Sequence, residues 1–186
     1  MEFYTINNFL SEEELNDIFD FSIKNLKLLE AKISNLDDSS DYRKSNVSFF
    51  NYFDKYPFLK DRYETQINNY FNIKGFDIDF ESMLQFTEYK DDGFYEWHTD
   101  SNPTNSITSK RFCSTVLLLN DNYDGGELEI IDSDDTKHIL EKKKGNLFIF
   151  PSQLKHRVTK LLSGKRYSLV GWFSLKHKEN FKKTLL

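Results

Sequence analysis

His98-Thr99-Asp100 sets an imidazole and a carboxylate two residues apart, and a second imidazole, His156, follows 58 residues later. Two imidazoles and one carboxylate are the ligand set that holds Fe(II) on one face and leaves the other open. On an extended segment, residues i and i+2 share a face. His98 and Asp100 are therefore expected to reach one ion while Thr99 points away, and His156 completes the set from a later strand or turn. The open positions suit the 1-carboxylate and 2-oxo group of an oxoacid, with one left for O2. Arg166, ten residues after His156, is a fork of donors matched to the far carboxylate of such an acidic cosubstrate. The chemistry these four residues point to is oxidation by O2 at an open iron centre.

Singly, the residues have plainer readings. His-x-Asp arises by chance in surface turns, and a lone histidine is more often structural than ligating. A His-His-Asp set also suits a divalent-metal hydrolase, zinc above all; Arg166 tilts against this, since hydrolysis has no general need for a cation at that offset. A third class is a binding module that keeps the scaffold without catalysis. The survival of His98, Asp100, His156 and Arg166 together argues against it.

These residues need a scaffold, and 186 residues suffice for one domain of ordinary size. With 16% aromatic residues the chain can build a substantial core. Gly and Pro are few, so long disordered linkers are not expected. The net charge of -5 gives no reason to expect nucleic-acid binding. Cys113 is the sole cysteine, which excludes an internal disulfide and a cysteine zinc cluster. It sits in an apolar run and reads as a small buried hydrophobe. No run approaches transmembrane length and no leader-like apolar stretch opens the chain. The expectation is a soluble, cytoplasmic protein without membrane contact.

The N-terminal third reads as mainly helical. Ser11-Glu12-Glu13-Glu14 matches a capping box, and Leu15, Ile18, Phe19, Ile23 and Leu26 recur at helical spacing. Tyr4, Ile6 and Phe9 before it suggest a short strand and a loop. Residues 36–48 read as a polar surface loop, and a second helix is expected after Pro57, with Leu59, Tyr63, Ile67, Tyr70 and Phe71 on one face. From about residue 77 short apolar segments at 82–89, 114–120, 126–131, 146–150, 157–161 and 167–175 alternate with turn signals. That pattern predicts a mostly β chain with N-terminal helices, an α+β jelly roll. One domain, 1–186, is expected, with 1–76 as helical support and 77–186 as the jelly-roll core.

The motifs in order resemble the prolyl 4-hydroxylase branch of the Fe(II)/2-oxoglutarate-dependent oxygenases. Asn8-Phe9-Leu10-Ser11 before an acidic helix resembles the usual entry of these domains. Tyr89, Gly93, Tyr95, His98 and Asp100 are similar to their Tyr…Gly…Tyr-x-x-His-x-Asp segment. Arg111, the run 114–120, and Tyr123-Asp124-Gly125-Gly126-Glu127-Leu128 resemble the strand and hairpin that follow. The run from Lys144-Gly145-Asn146 to Pro151-Ser152, then His156-Arg157-Val158, Gly164-Lys165-Arg166 and Trp172, matches the C-terminal half. The resemblance covers most of the chain. It implies a double-stranded β-helix of the cupin-like kind, with iron held by His98, Asp100 and His156. It also implies Arg166 on the C5 carboxylate of 2-oxoglutarate and Tyr89 lining the cosubstrate pocket. The implied reaction hydroxylates a C–H bond, of a prolyl residue in a peptide or protein, or alternatively of a free amino acid or small molecule. Succinate and CO2 leave, and ascorbate is the implied stimulant. One departure stands out: where some relatives place a tyrosine that helps bind the C5 carboxylate, this chain has Leu118. Thr115, Ser168 or Tyr95 are the candidates to replace it.

For the remaining positions the plainer readings are strong. Gly125 and Gly126 provide a tight turn, and Glu127 reads as a polar edge residue. Trp172 is expected in the core, Trp97 on the face opposite His98, and Tyr95, sharing Trp97's parity, in the core as well. Arg111 is a candidate to orient a substrate carbonyl. His138 and His177 lack a partner at ligand spacing and read as exposed. The polar loop 101–110 follows the His-x-Asp pair directly and is expected to lie over the mouth of the site.

Overall fold

The structure, a computed structural model, describes residues 3–31, 41–80, 83–106 and 108–177. In chain order the elements are β1 (Tyr4–Ile6), α1 (Glu12–Asn25), β2 (Leu29–Glu30), β3 (Arg43–Lys44), β4 (Asn46–Phe50), α2 (Tyr52–Lys55) and α3 (Pro57–Phe71). Strands follow: β5 (Phe76–Phe80), β6 (Leu84–Tyr89), β7 (Phe94–His98), β8 (Cys113–Leu118), β9 (Asp124–Gly125) and β10 (Leu128–Ile131). Then come β11 (Lys137–Ile139), β12 (Leu147–Pro151), β13 (Lys155–Val158), β14 (Leu161–Ser163) and β15 (Arg166–His177). A one-turn 3-10 helix at Thr108–Lys110 closes the loop after β7.

Two antiparallel sheets make the jelly roll. The larger runs β1-β12-β8-β15-β6-β4-β2, with β5 also on β15, and the smaller runs β11-β10-β13-β7-β3. The period-2 alternation of strands divides the larger sheet cleanly between two cores. Tyr167, Leu169 and Phe173 of β15, Cys113 and Leu117 of β8, and Leu147 and Ile149 of β12 face the helices. There they meet Leu15 and Ile18 of α1 and Leu59, Tyr63 and Ile67 of α3. Burying each of these large apolar side chains contributes about 1.5–3 kcal/mol. The intervening residues Val116, Leu118, Phe148 and Phe150 form a second core between the sheets. Arg166, Ser168, Val170 and Trp172 face the same way and line a cavity.

The helix signals hold in detail. Ser11 Oγ accepts from the Glu14 amide at 3.2 Å and a Glu14 oxygen accepts from the Ser11 amide at 2.9 Å, the reciprocal capping box. Pro57 opens α3 at a position where its missing N–H costs nothing.

Other expectations need correction. Within the supposed surface loop 36–48, residues 43–44 and 46–48 are strand; 32–40 lie outside the described residues. The N-terminal third thus does more than lend helices. β1 pairs with β12, β3 with β7, and β4 with β6. Residues 43–44 read as a loop because β3 is the edge of the smaller sheet, where strands carry polar side chains against sheet-to-sheet pairing, and 46–48 do so because Asn46 and Ser48 are polar although β4 lies between β6 and β2. The strand expected at 126–131 starts at Leu128, because Gly125 and Gly126 both adopt positive φ (69° and 64°) and break it.

Candidate active site

Strand β7 ends at His98, and β13 faces it so that His98 and His156 are directly opposed across the ladder. Asp100 follows in the turn, where its amide and that of Ser101 both donate to the Ser152 carbonyl, at 2.9 and 3.0 Å. One imidazole nitrogen from each histidine and one carboxylate oxygen of Asp100 lie within 4.8 Å of one another. His98 Nε2 is 3.7 Å from Asp100 Oδ1, and His156 Nε2 is 3.4 Å from Asp100 Oδ2. In both rings Nδ1 meets a backbone carbonyl two residues earlier, Glu96 for His98 at 2.8 Å and Leu154 for His156 at 3.0 Å. That contact fixes Nδ1–H as the donor and leaves Nε2 as the free lone pair. Ser114 Oγ donates to Asp100 Oδ2 at 2.7 Å and is itself bonded to Ser152 Oγ at 2.8 Å.

The electrostatics suit a cation. Burial, with His156 close by, pushes the His98 imidazole down to about 3, so it stays a neutral donor. Burial alone would raise the Asp100 carboxyl, but His156, His98 and Ser114 outweigh it and hold the group ionised. Burial likewise opposes protonation of His156, and Asp100 overrides it, so His156 lies above its ordinary range. A divalent ion held by the three would favour the same ionised carboxylate that raises His156. The donor set, the fixed Nε2 atoms and the ionised carboxylate together fit Fe(II).

Arg166 is 1% exposed and lines the same cavity, of about 400 Å³. Its Nη1 donates to Ser168 Oγ at 3.1 Å, while its Nε and Nη2, also buried, have no hydrogen-bond partner among the described residues. Orphaned donors on a buried guanidinium call for an anion. Tyr89 stands opposite Arg166 in the β6–β15 register, its ring 5.2 Å from the guanidinium carbon. Tyr123 lies beside them: burial raises its phenol, and Arg166 partly offsets that. Of the three candidates to replace the missing tyrosine, Ser168 is the one in contact with Arg166. Thr115 faces the other side of β8, 3.4 Å from the Gly171 carbonyl. Leu118 packs in the second core.

Tyr95 corrects the parity argument. Its ring stacks on His98, centroids 3.5 Å apart and 16° from parallel. The β13–β7 register shifts between the pairs His156↔His98 and Val158↔Tyr95, where three steps on β7 oppose two on β13. The extra residue of this bulge turns Tyr95 onto the face of His98. Trp97 does face away, with Arg157 over its ring at 4.7 Å. Trp172 is buried yet belongs to the cavity wall, with Arg111 over its indole at 4.0 Å. His138 is not a bare surface histidine, since its Nε2 pairs with Asp132 at 2.7 Å. The side chain of His177 lies outside the described residues. Asn102, Asn105 and Thr108 of the loop 101–110 line the cavity; residue 107 lies outside the described residues. Arg43, Phe49 and Gln85 also line it, and no motif had marked them. For Ser114 and Ser152 the only sequence signal was their place in the matched strands.

Residues 84–174, just under half of the chain, match the model of the 2OG-Fe(II) oxygenase superfamily. Its kinship lies on the prolyl 4-hydroxylase-like branch. A PKHD-type hydroxylase of Prochlorococcus marinus (strain AS9601) is 34% identical over 89 residues, covering 48% of this chain and 40% of the relative. The chain thus matches under half the length of such curated relatives. The crystal structure of a Pseudomonas putida prolyl-4-hydroxylase superposes with a TM-score of 0.71 at 24% identity, over 93% of this chain and 92% of that one. A Trichoplax adhaerens prolyl hydroxylase, solved with a hypoxia inducible factor oxygen degradation domain peptide fragment, gives 0.73 at 14% identity, over 93% and 83%. These superpositions establish the shared fold. No helix among the described residues is long and apolar enough to cross a membrane.

Proposed function

We propose that this chain is an Fe(II)- and 2-oxoglutarate-dependent dioxygenase that hydroxylates a C–H bond, of a prolyl residue in a peptide or protein. One observation carries the reading. A His-Asp-His donor set and a buried guanidinium with two orphaned donors share one cavity. The prolyl part draws its support from the curated relatives and the shared fold. Bound there, Fe(II) with 2-oxoglutarate supplies the activation of O2, one oxygen atom ending in the product alcohol and the other in succinate as CO2 leaves.

The residues divide the work. His98 and His156 present Nε2, and Ser114 sets the carboxylate plane of Asp100. Arg166 would hold the C5 carboxylate of the cosubstrate, and Tyr89, opposite it in the cavity, would line the cosubstrate's place. This is positioning rather than acid–base catalysis. Val116, Leu128, Val158 and Val170 on the cavity wall keep water from the reacting centre. Ascorbate belongs to the same proposal as a reductant that restores Fe(II) after idle turnovers.

The test is an anaerobic titration of the Fe(II)-loaded protein with 2-oxoglutarate, followed by a peptide panel in air. A visible charge-transfer band is expected in the wild type and none in His98→Ala or Asp100→Ala. Peptide mass rising by one oxygen, matched mole for mole by succinate, completes the assignment. A band without hydroxylation of any proline-containing peptide sinks the prolyl part alone; no band with iron bound sinks the oxygenase.

A further inference from the structure

Arg43 also lines the cavity, on β3, which the sequence reads as surface loop. Its Nε donates to Ser45 Oγ at 2.7 Å. Its guanidinium lies over the Tyr95 ring at 4.4 Å, and that ring stacks on His98 at 3.5 Å. The guanidinium carbon is therefore within about 8 Å of the His98 ring centre. Ser45 is buried and Tyr95 nearly so, which holds the fork in place from two sides. Yet Nη1 and Nη2 of Arg43 meet no carboxylate and no hydrogen-bond acceptor among the described residues.

The charges in the cavity sharpen the point. Its charged lining residues are Arg43, Asp100, Arg111 and Arg166, in a chain whose net charge is -5. If the proposed function holds, Fe(II), Asp100, the 2-oxoglutarate dianion and Arg166 sum to zero. Arg111 keeps its own contacts, stacked on Trp172. Among the described residues Arg43 is left as a preorganised guanidinium with no carboxylate partner, beside His98. A cation fixed this way costs little further ordering when it binds, and its planar fork matches a carboxylate with two parallel hydrogen bonds.

We infer that Arg43 is a specificity residue that reads a carboxylate on the substrate. The inference rests on the proposed oxygenase reading and deepens it. The distance to His98 limits where that carboxylate stands. Consecutive α-carbons are about 3.8 Å apart, so the carboxylate belongs to the reacting residue or to its neighbour. Two sources share this chemistry: the main-chain carboxylate of a terminal or free residue, and the side chain of an adjacent Asp or Glu.

Two matched pairs of probes separate them. N-acetyl-Gly-Pro acid is compared with its primary amide, and N-acetyl-Gly-Pro-Glu amide with N-acetyl-Gly-Pro-Gln amide. Binding is followed by calorimetry on the Mn(II)-loaded protein under saturating 2-oxoglutarate, which occupies Arg166 and needs no turnover. In at least one pair the acid is expected to bind about 10–100-fold more tightly than its neutral match, the range for one charge-assisted fork. The gap should collapse in Arg43→Gln and shrink in Arg43→Lys, with 2-oxoglutarate affinity unchanged in both. Which pair shows the gap names the source. Acids that bind no better than their neutral matches, including no binding at millimolar concentration, overturn the inference; so does a gap that survives in Arg43→Gln. Failure of the oxygenase reading registers separately, as absent 2-oxoglutarate binding in the wild type and both variants. Thermal melts of the variants check that each is folded.

Discussion

Replacing Arg166 with Met should move two quantities in opposite directions. The guanidinium is 1% exposed, and its Nε and Nη2 have no hydrogen-bond partner among the described residues. Leaving a buried donor unsatisfied costs about 1–3 kcal/mol, so Met, of similar length and without charge, removes a penalty from the ligand-free chain. Against that stands the loss of the Nη1 bond to Ser168, about 1 kcal/mol. The net expectation is a ligand-free protein stabilised by about 1 kcal/mol, or roughly 2–4 °C in Tm for a domain of this size. Binding of 2-oxoglutarate should instead weaken by about 3–5 kcal/mol, the cost of deleting one partner of a buried charge pair. That is on the order of a hundredfold to several thousandfold in Kd. The assay is a thermal melt of the Mn(II)-loaded protein over a 2-oxoglutarate series. Wild type should gain Tm steadily with ligand, and Arg166→Met should start higher and stay flat. A variant that starts well below wild type and still gains Tm with 2-oxoglutarate would refute the argument, because Arg166 would then be a structural residue.

Other substitutions test other links. Ser114→Ala removes the bond that orients Asp100 and should weaken metal affinity by about 10–100-fold with little change in Tm; equal metal affinity by competitive chelation would show that the Ser152 turn alone positions the carboxylate. Gly125→Ala should destabilise strongly, because the added Cβ would stand 2.3 Å from the Lys160 carbonyl at a φ of +69°; an unchanged Tm would mean that the β9–β14 ladder is not part of the cooperative fold. Burial would raise the Glu88 carboxyl, but hydrogen bonds from Asn46 and Tyr167 and the charges of Lys90 and Lys165 outweigh it, so its pKa is lowered. The stability this gives is present above the unfolded value, about 4.3, and is lost as pH falls through the folded one. Glu88→Gln should therefore flatten the acid limb of a Tm-against-pH curve below about pH 4.5, and an identical limb in the two proteins would argue against it.

The convergence of His98, Asp100 and His156 was readable because strand geometry makes i and i+2 neighbours, and because His156 and Arg166 sit at offsets that few structural demands impose. The capping box of α1 and the start of α3 were readable because both are local. What escaped was non-local. Tyr95 was misplaced because a bulge, created by the pairing of β7 with β13, breaks the alternation that parity assumes. Arg43 looked like a loop residue, and Phe49 fell in no expected element, because their strands form by pairing with β7 and with β6 and β2. Ser114 was hidden inside an apolar run, where its hydroxyl is satisfied by a carboxylate from another turn of the roll. Trp172 was expected in the core for its size; the larger sheet has two inner faces, and hydrophobicity does not say which one a residue takes.

Strand β15 carries a consequence for how this chain can change. Its even positions, from Arg166 to Trp172, furnish the cavity, and its odd positions, Tyr167, Leu169 and Phe173, furnish the helix-side core. Ladders on both sides, to β6 and β8, lock its register. Inserting or deleting one residue here would swap every side chain between the two faces, burying Arg166 among the helices and turning the core aromatics into the cavity. Drift in length is thus barred along the whole strand, and variation is confined to substitution at even positions. The cavity is reshaped by exchanging single side chains such as Val170 or Ser168, or by rebuilding the rim at 43–49 and 101–110, while the span from Arg166 to Trp172 along the strand stays constant.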